Sequence, residues 1–425
     1  MINIKFQPLL TYLSSDKVLL FILWPFGALL RSLLFFRNPQ SKTLFWVFCI
    51  YFGFVFIYED PSLDKFGADS ATYAAKLIEL HNQPISIKTL ASSFYNANEG
   101  TVDIYQPLVT WVLSAITGDP RILFAVFAAV FGFYYSQNLW MVFNTINKKV
   151  GLILLLFMLT YAFVNPIWNI NGVRMWTAAQ IFLFGNLKYF LHNDKKGVLW
   201  SATSILVHFS FMFPVAIFIL WIFLPKKEYL FISFYVFTVF FVEMDLGNLA
   251  NYLNFMPNVF QPRIEGYTNE GYAEMINQTS QMAAFHVKLS EIVIRWLTHM
   301  WIIAFFVKRE NWTREIPNLR LLYTFALLIG GFANIATQVP SGARFQVIAH
   351  GLLFGLFVIV MGQHKIRLNL NWLKQISIPL LSYAIIFKLR LGMDFIGILT
   401  LFGNPLIAPF LKIQIPLIDF IKQIL

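Results

Sequence analysis

The chain has 425 residues, of which 58% are hydrophobic, 18% aromatic and only 12% charged. A soluble globular domain carries about 25% charged residues, so a soluble core of this size would lack a polar coat, and the mean hydropathy of +0.64 reads as a chain that crosses a membrane repeatedly. The net charge of +11, from 32 basic and 21 acidic residues, lies in short clusters at the ends of apolar runs, which argues against nucleic acid as a partner.

The N-terminal stretch MINIKFQPLLTYLSSDK has no small-residue cleavage site after a basic start, so insertion through internal helices is expected. Apolar runs of about 20 residues mark spanning helices. They fall near 18–36, 43–58, 121–143, 150–169, 173–191, 229–249, 288–307, 318–338, 343–362 and 373–391. Three stretches fit less well. Residues 104–117 are short for a span; 198–224 are long and carry His208 and Pro214 in the middle; 395–420 is interrupted by Pro405, Pro409 and Pro416 and either spans with kinks or lies along the interface. The expected fold class is all-α, a polytopic membrane protein of about 11 to 13 transmembrane or re-entrant helices, forming one integral membrane domain over 1–425. The single cysteine, Cys49, lies in an apolar run, so the chain holds no internal disulfide.

The basic clusters Arg31/Arg37/Lys42, Lys148/Lys149, Lys195/Lys196, Lys226/Lys227, Lys308/Arg309/Arg314 and Lys365/Arg367 belong on the cytoplasmic side. Counting crossings then fails twice. Three apolar stretches separate Lys42 from Lys148, and one separates Lys196 from Lys226. Both counts come right if 104–117 dips in and returns, and if 198–224 breaks near HFSFMFP into a re-entrant hairpin. Broken backbone at membrane depth is tolerated where protein or a wet cavity covers it. The polar segments 59–103 and 250–287 lack basic clusters and belong on the outer side, with the turns 169–172 and 338–342.

Chemistry is concentrated on that outer side. In WNINGVRMW, Arg174 stands in the first turn of an apolar helix, where free N–H groups, the helix dipole and a guanidinium fork all favour an anion such as phosphate. Arg344 repeats the arrangement in QVPSGARFQV, and two such arginines suggest a clamp for pyrophosphate. Snorkelling to headgroups is the plainer alternative for each. His208 is a titratable group inside an apolar stretch, a functional candidate by default, unless a carbonyl or Ser204 or Ser210 satisfies it. His350 is expected to be such a satisfied residue. In GADSATYAAKLIEL, Asp69 is either a plain helix cap or a carboxylate at the mouth of a cavity, with Tyr73 one turn on. Glu99, Asp103 and Tyr105 in ANEGTVDIYQP, and Arg263, Glu265, Tyr267 and Tyr272 in QPRIEGYTNEGY, mix charge with aromatic rings in the way a sugar site needs, or are ordinary solvated loop. No P-loop, Gly-rich dinucleotide turn, HExxH or CxxC occurs, so no metal and no cofactor is expected.

NINGVRMWTAAQIFLFG resembles the arginine turn and helix of the EpsG-type, Wzy-like polysaccharide polymerases. SATSILVHFSFMFPVAIFIL resembles the histidine helix that follows it there, FGADSATYAAKL the early Asp/Tyr segment, and PSGARFQV the late arginine. The likeness covers roughly 45 to 360, and the order of these short motifs is its specific part. Met175 departs from it, since the family often has glutamine after the arginine. The resemblance implies a GT-C-like, metal-independent glycosyltransferase of the bacterial inner membrane with its active site on the periplasmic side. It implies polymerisation of undecaprenyl-pyrophosphate-linked repeat units into O-antigen, capsule or exopolysaccharide, with a chain-length-regulating co-polymerase as partner. On that expectation Asp69 or His208 is the catalytic base and Arg174 and Arg344 bind the pyrophosphate. Tyr73, Glu99, Asp103, Arg263, Glu265 and Tyr267 bind sugar, and the bilayer holds the lipid tails. A flippase for lipid-linked oligosaccharide, or a single-step ligase of the same architecture, is the competing expectation.

Overall fold

The computed structural model describes residues 10–58, 69–94, 102–240 and 284–424, with isolated positions between 265 and 282. Among the described residues the chain is all-helical, with no β-strand. The helices are α1 (Ser15–Leu23), α2 (Pro25–Leu34), α3 (Ser41–Phe54), α4 (Asp69–Asn82), α5 (Ile87–Ser93), α6 (Tyr105–Ser114), α7 (Pro120–Phe143), α8 (Leu152–Val164), α9 (Val173–His192), α10 (Gly197–Val207), α11 (Met212–Phe223) and α12 (Glu228–Val239). After the second polar segment come α13 (Phe285–Val307), α14 (Pro317–Ala336), α15 (Gln346–Met361) and α16 (Asn371–Gly392). Five stretches are long and apolar enough to cross a membrane: Pro120–Phe143, Leu152–His192, Phe285–Val307, Pro317–Ala336 and Gly342–Met361.

Helix ends follow local chemistry. Asp119 caps α7 through the Arg121 amide, and Pro120 takes the first helical position, where its missing N–H costs nothing. Asn193 adopts left-handed φ 54° to close α9. The run 18–36 is not one span: Pro25 opens a new helix after Trp24, giving helices of 9 and 10 residues. Residues 395–420 do not span either. They form short pieces, Ile398–Phe402 and Ala408–Phe410, laid against the bundle by Tyr51, whose hydroxyl donates to the Leu399 carbonyl at 2.7 Å.

The first odd count resolves through α3 and α7, which run antiparallel. Gly53 lies against Ala128 and the Phe124 carbonyl, Gly132 against Cys49, and Lys42 donates to Gln137 at 3.1 Å. The end of α3 and the start of α7 therefore share one end of the bundle, so the chain leaves α3 and enters α7 at that end. Helix α6 does not cross: it packs on the α4–α5 region, where Trp111 Nε1 donates to the Ile85 carbonyl at 2.9 Å.

The second odd count resolves as a hairpin. Helix α10 runs antiparallel to α9, with Gly185 so close to Gly197 and Ser201 that an added β-carbon would meet them at 2.4 to 2.5 Å. Helix α11 then returns along α9, placing Trp221 against Phe190 at 5.1 Å between ring centroids. The 11 and 12 residues of α10 and α11 make about 16 and 18 Å each, against a hydrocarbon core of about 30 Å. The turn falls at His208 because Pro214 lacks an N–H and its ring excludes the carbonyl four residues back, so a helix has to restart just before it. Asn318 donates to Asn193 at 3.1 Å, which sets the start of α14 beside the end of α9. The basic clusters thus gather at one end and Asp69, Asp103, Arg174, His208 and Arg344 at the other.

Lys196→Cys and Lys226→Cys should both react with a membrane-impermeant maleimide from the same face of sealed vesicles, and Thr72→Cys from the opposite face. Labelling of 196 and 226 from opposite faces would mean that α10 and α11 form a single crossing.

Candidate functional site

Asp103 sits just ahead of α6, on a segment that the Ile104 amide ties to the Leu206 carbonyl at 3.1 Å. Its side chain is 3% exposed. One carboxylate oxygen, Oδ2, accepts from His208 Nδ1 at 2.9 Å and from Arg174 Nη1 at 3.1 Å. The other, Oδ1, accepts from the Phe209 amide at 2.8 Å. Arg174 Nε also donates to the Tyr73 hydroxyl at 3.2 Å. One buried carboxylate thereby joins the start of α9, the tip of the α10–α11 hairpin and, through Arg174, helix α4. Burial works against its ionised form, but the hydrogen bond from His208, the Phe209 amide and the charge of Arg174 outweigh it and hold the carboxyl below its ordinary 3.8. Burial is also the main reason that the Tyr73 hydroxyl is pushed up to about 12, so it stays protonated.

The pair Asp103–His208 has a chemical consequence. A carboxylate only accepts, so Nδ1 of His208 carries the proton and the lone pair is on Nε2. Nε2 takes no hydrogen bond from a described residue, and the side chain is 10% exposed. An oriented imidazole with a free Nε2 is what a general base requires. Asp69 is exposed at the first position of α4, with Oδ2 3.5 Å from the place a β-carbon on Gly172 would take, next to the Arg174 helix.

Buried polar atoms without a partner flank these residues in the chain. Ser70 Oγ, Tyr105 Oη, Asn171 Oδ1 and Ser210 Oγ make no hydrogen bond with a described residue. Tyr73 and Tyr105 both pack on the Phe127 ring, at 6.0 and 5.9 Å between centroids, which joins α4 to α6. Orphaned buried polar atoms are costly and uncommon, and these four, three hydroxyls and one amide oxygen, lie within two residues of Asp69, Asp103, His208 or Gly172.

The structure corrects two expectations about the arginines. Arg174 is not over a free helix mouth: a 3-10 turn, Ile167–Gly172, runs directly into α9, so the helical run begins two turns earlier. The dipole falls off within the first turn, and Arg174's charge is met by Asp103. Its Nη2 remains without a described partner. Arg344 is exposed in the 3-10 turn Gly342–Phe345 and makes no hydrogen bond or ion pair with a described residue, so no contact couples it to Arg174. Gly342 is required there, because a β-carbon would stand 1.8 Å from the Ala336 carbonyl oxygen. Phe345 packs on Phe213 at 5.2 Å, which keeps Arg344 near the hairpin tip. Asp103 is not a loop carboxylate open to a sugar, because three donors occupy it. Glu99, Arg263, Tyr267 and Tyr272 lie outside the described residues, and Glu265 is an exposed helical position.

Sequence reasoning missed a second polar region. A cavity of about 480 Å³ lies among α8, α13, α15 and α16, with Glu291, Arg295, His350 and Lys388 on its walls beside Phe163 and Ile385. Inward it meets a small recess where Tyr235 and His299 share a 2.8 Å hydrogen bond. Ala343, the neighbour of Arg344, lines the same cavity. The signal was present: Glu291, Arg295 and His299 recur every fourth residue on one face of an apolar run. Among the described residues no three His, Cys, Asp or Glu side chains gather as a metal site would need. No family model, curated protein or solved structure matches the chain.

Because its folded carboxyl titrates below 3.8, Asp103 contributes stability above that value and loses it as pH falls through the folded value. Asp103→Asn should cost about 3 kcal/mol near neutral pH by leaving Arg174 and His208 uncompensated. In thermal unfolding, its deficit against the wild type should shrink as the pH falls below about 4. A deficit that stays constant with pH would show that the ionised carboxylate is not what holds the three segments.

Proposed function

We propose that this chain is a bacterial inner-membrane glycosyltransferase of GT-C-like architecture, a Wzy-like polymerase. It would transfer a growing glycan from undecaprenyl pyrophosphate to a lipid-linked repeat unit on the periplasmic side. The observation that carries the reading is the Asp103–His208 pair with its free Nε2, set beside Arg174 and among unpartnered buried hydroxyls. A polyhydroxylated ligand offers those hydroxyls the partners they lack. An acceptor hydroxyl near His208 Nε2 would have a base already in the right tautomer.

In this mechanism His208 Nε2 takes the proton of the acceptor hydroxyl. The acceptor oxygen bonds to the anomeric carbon of the donor sugar. The bond from that carbon to the pyrophosphate oxygen breaks, and undecaprenyl pyrophosphate leaves with the electron pair. Arg174, through its open Nη2, and Arg344 offset the charge that builds on the leaving group. Asp103 is a positioning residue: it orients His208 and Arg174 and does not touch the substrate. Asp69 and Tyr73 hydrogen-bond the sugar beside Arg174. The outer residues Glu99, Arg263, Glu265 and Tyr267 belong to the sugar-binding segments in this reading, which invokes no cofactor. The cavity beside Arg344, part apolar and part cationic, suits a lipid carrier with an anionic head. A chain-length-regulating co-polymerase would act as partner.

The test is a gel of lipid-linked products made by the purified protein from its undecaprenyl-pyrophosphate repeat unit, with EDTA and without nucleotide sugar. A ladder is expected, and Arg174→Ala or His208→Ala should each slow it about a hundredfold. Asp103→Asn should lower kcat more than it raises KM. Wild-type turnover in Arg174→Ala would sink the mechanism. Lipid-linked sugar that crosses a proteoliposome membrane with no ladder formed would make the protein a flippase.

A further inference from the structure

At the opposite end of the bundle, a cavity of about 370 Å³ is lined by Lys148, Lys149, Arg367 and Lys374, with His364 beside them. No aspartate or glutamate lines it, and none of the four cations forms an ion pair with a described residue. Lys148 and Lys149 come from the α7–α8 turn, Arg367 from the segment after α15 and Lys374 from the first turn of α16; hydrogen bonds tie the first of these to the second. The Asn147 amide donates to the Gly362 carbonyl at 3.1 Å, Asn147 Nδ2 to Gln363 Oε1 at 2.9 Å, and the His364 amide to Asn147 Oδ1 at 2.7 Å. Arg37 donates to the Lys148 carbonyl at 2.8 Å. This is a built concavity rather than a fringe of mobile lysines.

Two features of it are unfavourable as they stand. Lys374 is in the first turn of α16, a 22-residue helix whose N-cap, Leu370, offers no side-chain cap. A cation there opposes the positive end of the helix dipole. The amine of Lys148 is drawn below its ordinary value by burial and by the charge of Lys374. An anion in the cavity would relieve both, and it would need more than one negative charge to balance four cations. One wall is apolar, with Ile153, Leu154, Met361 and Ile366, and the cavity lies at the end of the bundle that carries the basic clusters. By charge asymmetry that end meets the cytoplasmic leaflet.

From this we infer that the cavity is a binding site for the headgroup of a multiply anionic phospholipid of the cytoplasmic leaflet, held by Lys148, Lys149, Arg367 and Lys374 against the first turn of α16. Basic concavities between helix ends on this side of a membrane are suited to such headgroups. The site is independent of the outer-face reading and would hold whatever the chemistry at Asp103 proves to be.

The test uses the full chain, purified in detergent and stripped of lipid, titrated with cardiolipin, phosphatidylglycerol, phosphatidylcholine and inorganic pyrophosphate, with binding read by native mass spectrometry. Cardiolipin should bind most tightly, and Lys148→Gln or Arg367→Gln should each weaken it about fivefold. Lys374→Glu should abolish the preference for cardiolipin over phosphatidylcholine. An acid in the first turn favours the helix, so the lipid-free melting temperature of that variant should not fall, and misfolding would not explain the loss. Unchanged cardiolipin binding in Lys374→Glu would overturn the inference. So would inorganic pyrophosphate binding as tightly as cardiolipin, which would mark a site for a soluble anion.

Discussion

The buried carboxylate of Asp103 is the junction at the end of the bundle opposite the basic clusters. It accepts from a histidine at a helix break, an arginine on a neighbouring helix and the amide that follows the histidine. Arg174 stands on the well-packed helix α9, whereas His208 and the Phe209 amide come from the tip of the hairpin. The hairpin tip is broken helix, and α4 and α6 pack at the edge of the bundle. Taking a carboxylate out of water costs several kcal/mol unless it is paired and hydrogen-bonded, so the arrangement persists only with all three donors in place. That mutual dependence fixes His208 and Arg174 relative to one another.

The rest of the bundle exists to bring those segments to one level. Small residues set the distances: Gly185 and Gly197 let α9 and α10 touch backbone to backbone, Gly53 does the same for α3 and α7, and Gly132 makes room there for the Cys49 side chain. Aromatic rings lock the return arm of the hairpin onto α9, through Phe182, Phe190, Phe218 and Trp221. Two half-length helices then carry His208 to the height of Arg174, where a single crossing helix would have continued past it.

Charge divides the molecule between its ends. The cavity at the basic end holds cations without lining carboxylates, so its electrostatics call for something from outside the chain. At the other end Asp103 is met within the chain, and what is left over is the charge of Arg344 and hydrogen-bonding capacity: His208 Nε2, Arg174 Nη2 and several buried hydroxyls. The cavity with Arg295 and Lys388 lies between these cases, with mixed charge and apolar walls.

By itself the sequence determined the all-helical, membrane-suited character, the grouping of basic clusters and the break at His208, and it singled out Arg174 and His208 as candidates. Those properties are local: hydropathy over a run, a proline near a histidine, charges beside apolar helix ends. Two failed crossing counts even located the two places where the chain turns back. Tertiary structure alone decided that Asp103, 71 residues before Arg174 and 105 before His208, is the acceptor that joins them. It also decided that Arg344 stands apart and that Glu291, Arg295 and Lys388 share one cavity. Nothing in a linear pattern states which carboxylate meets which cation. That choice depends on which helices pack together, and it is made by close backbone approach at glycines and by ring packing, interactions whose partners are far apart in the chain.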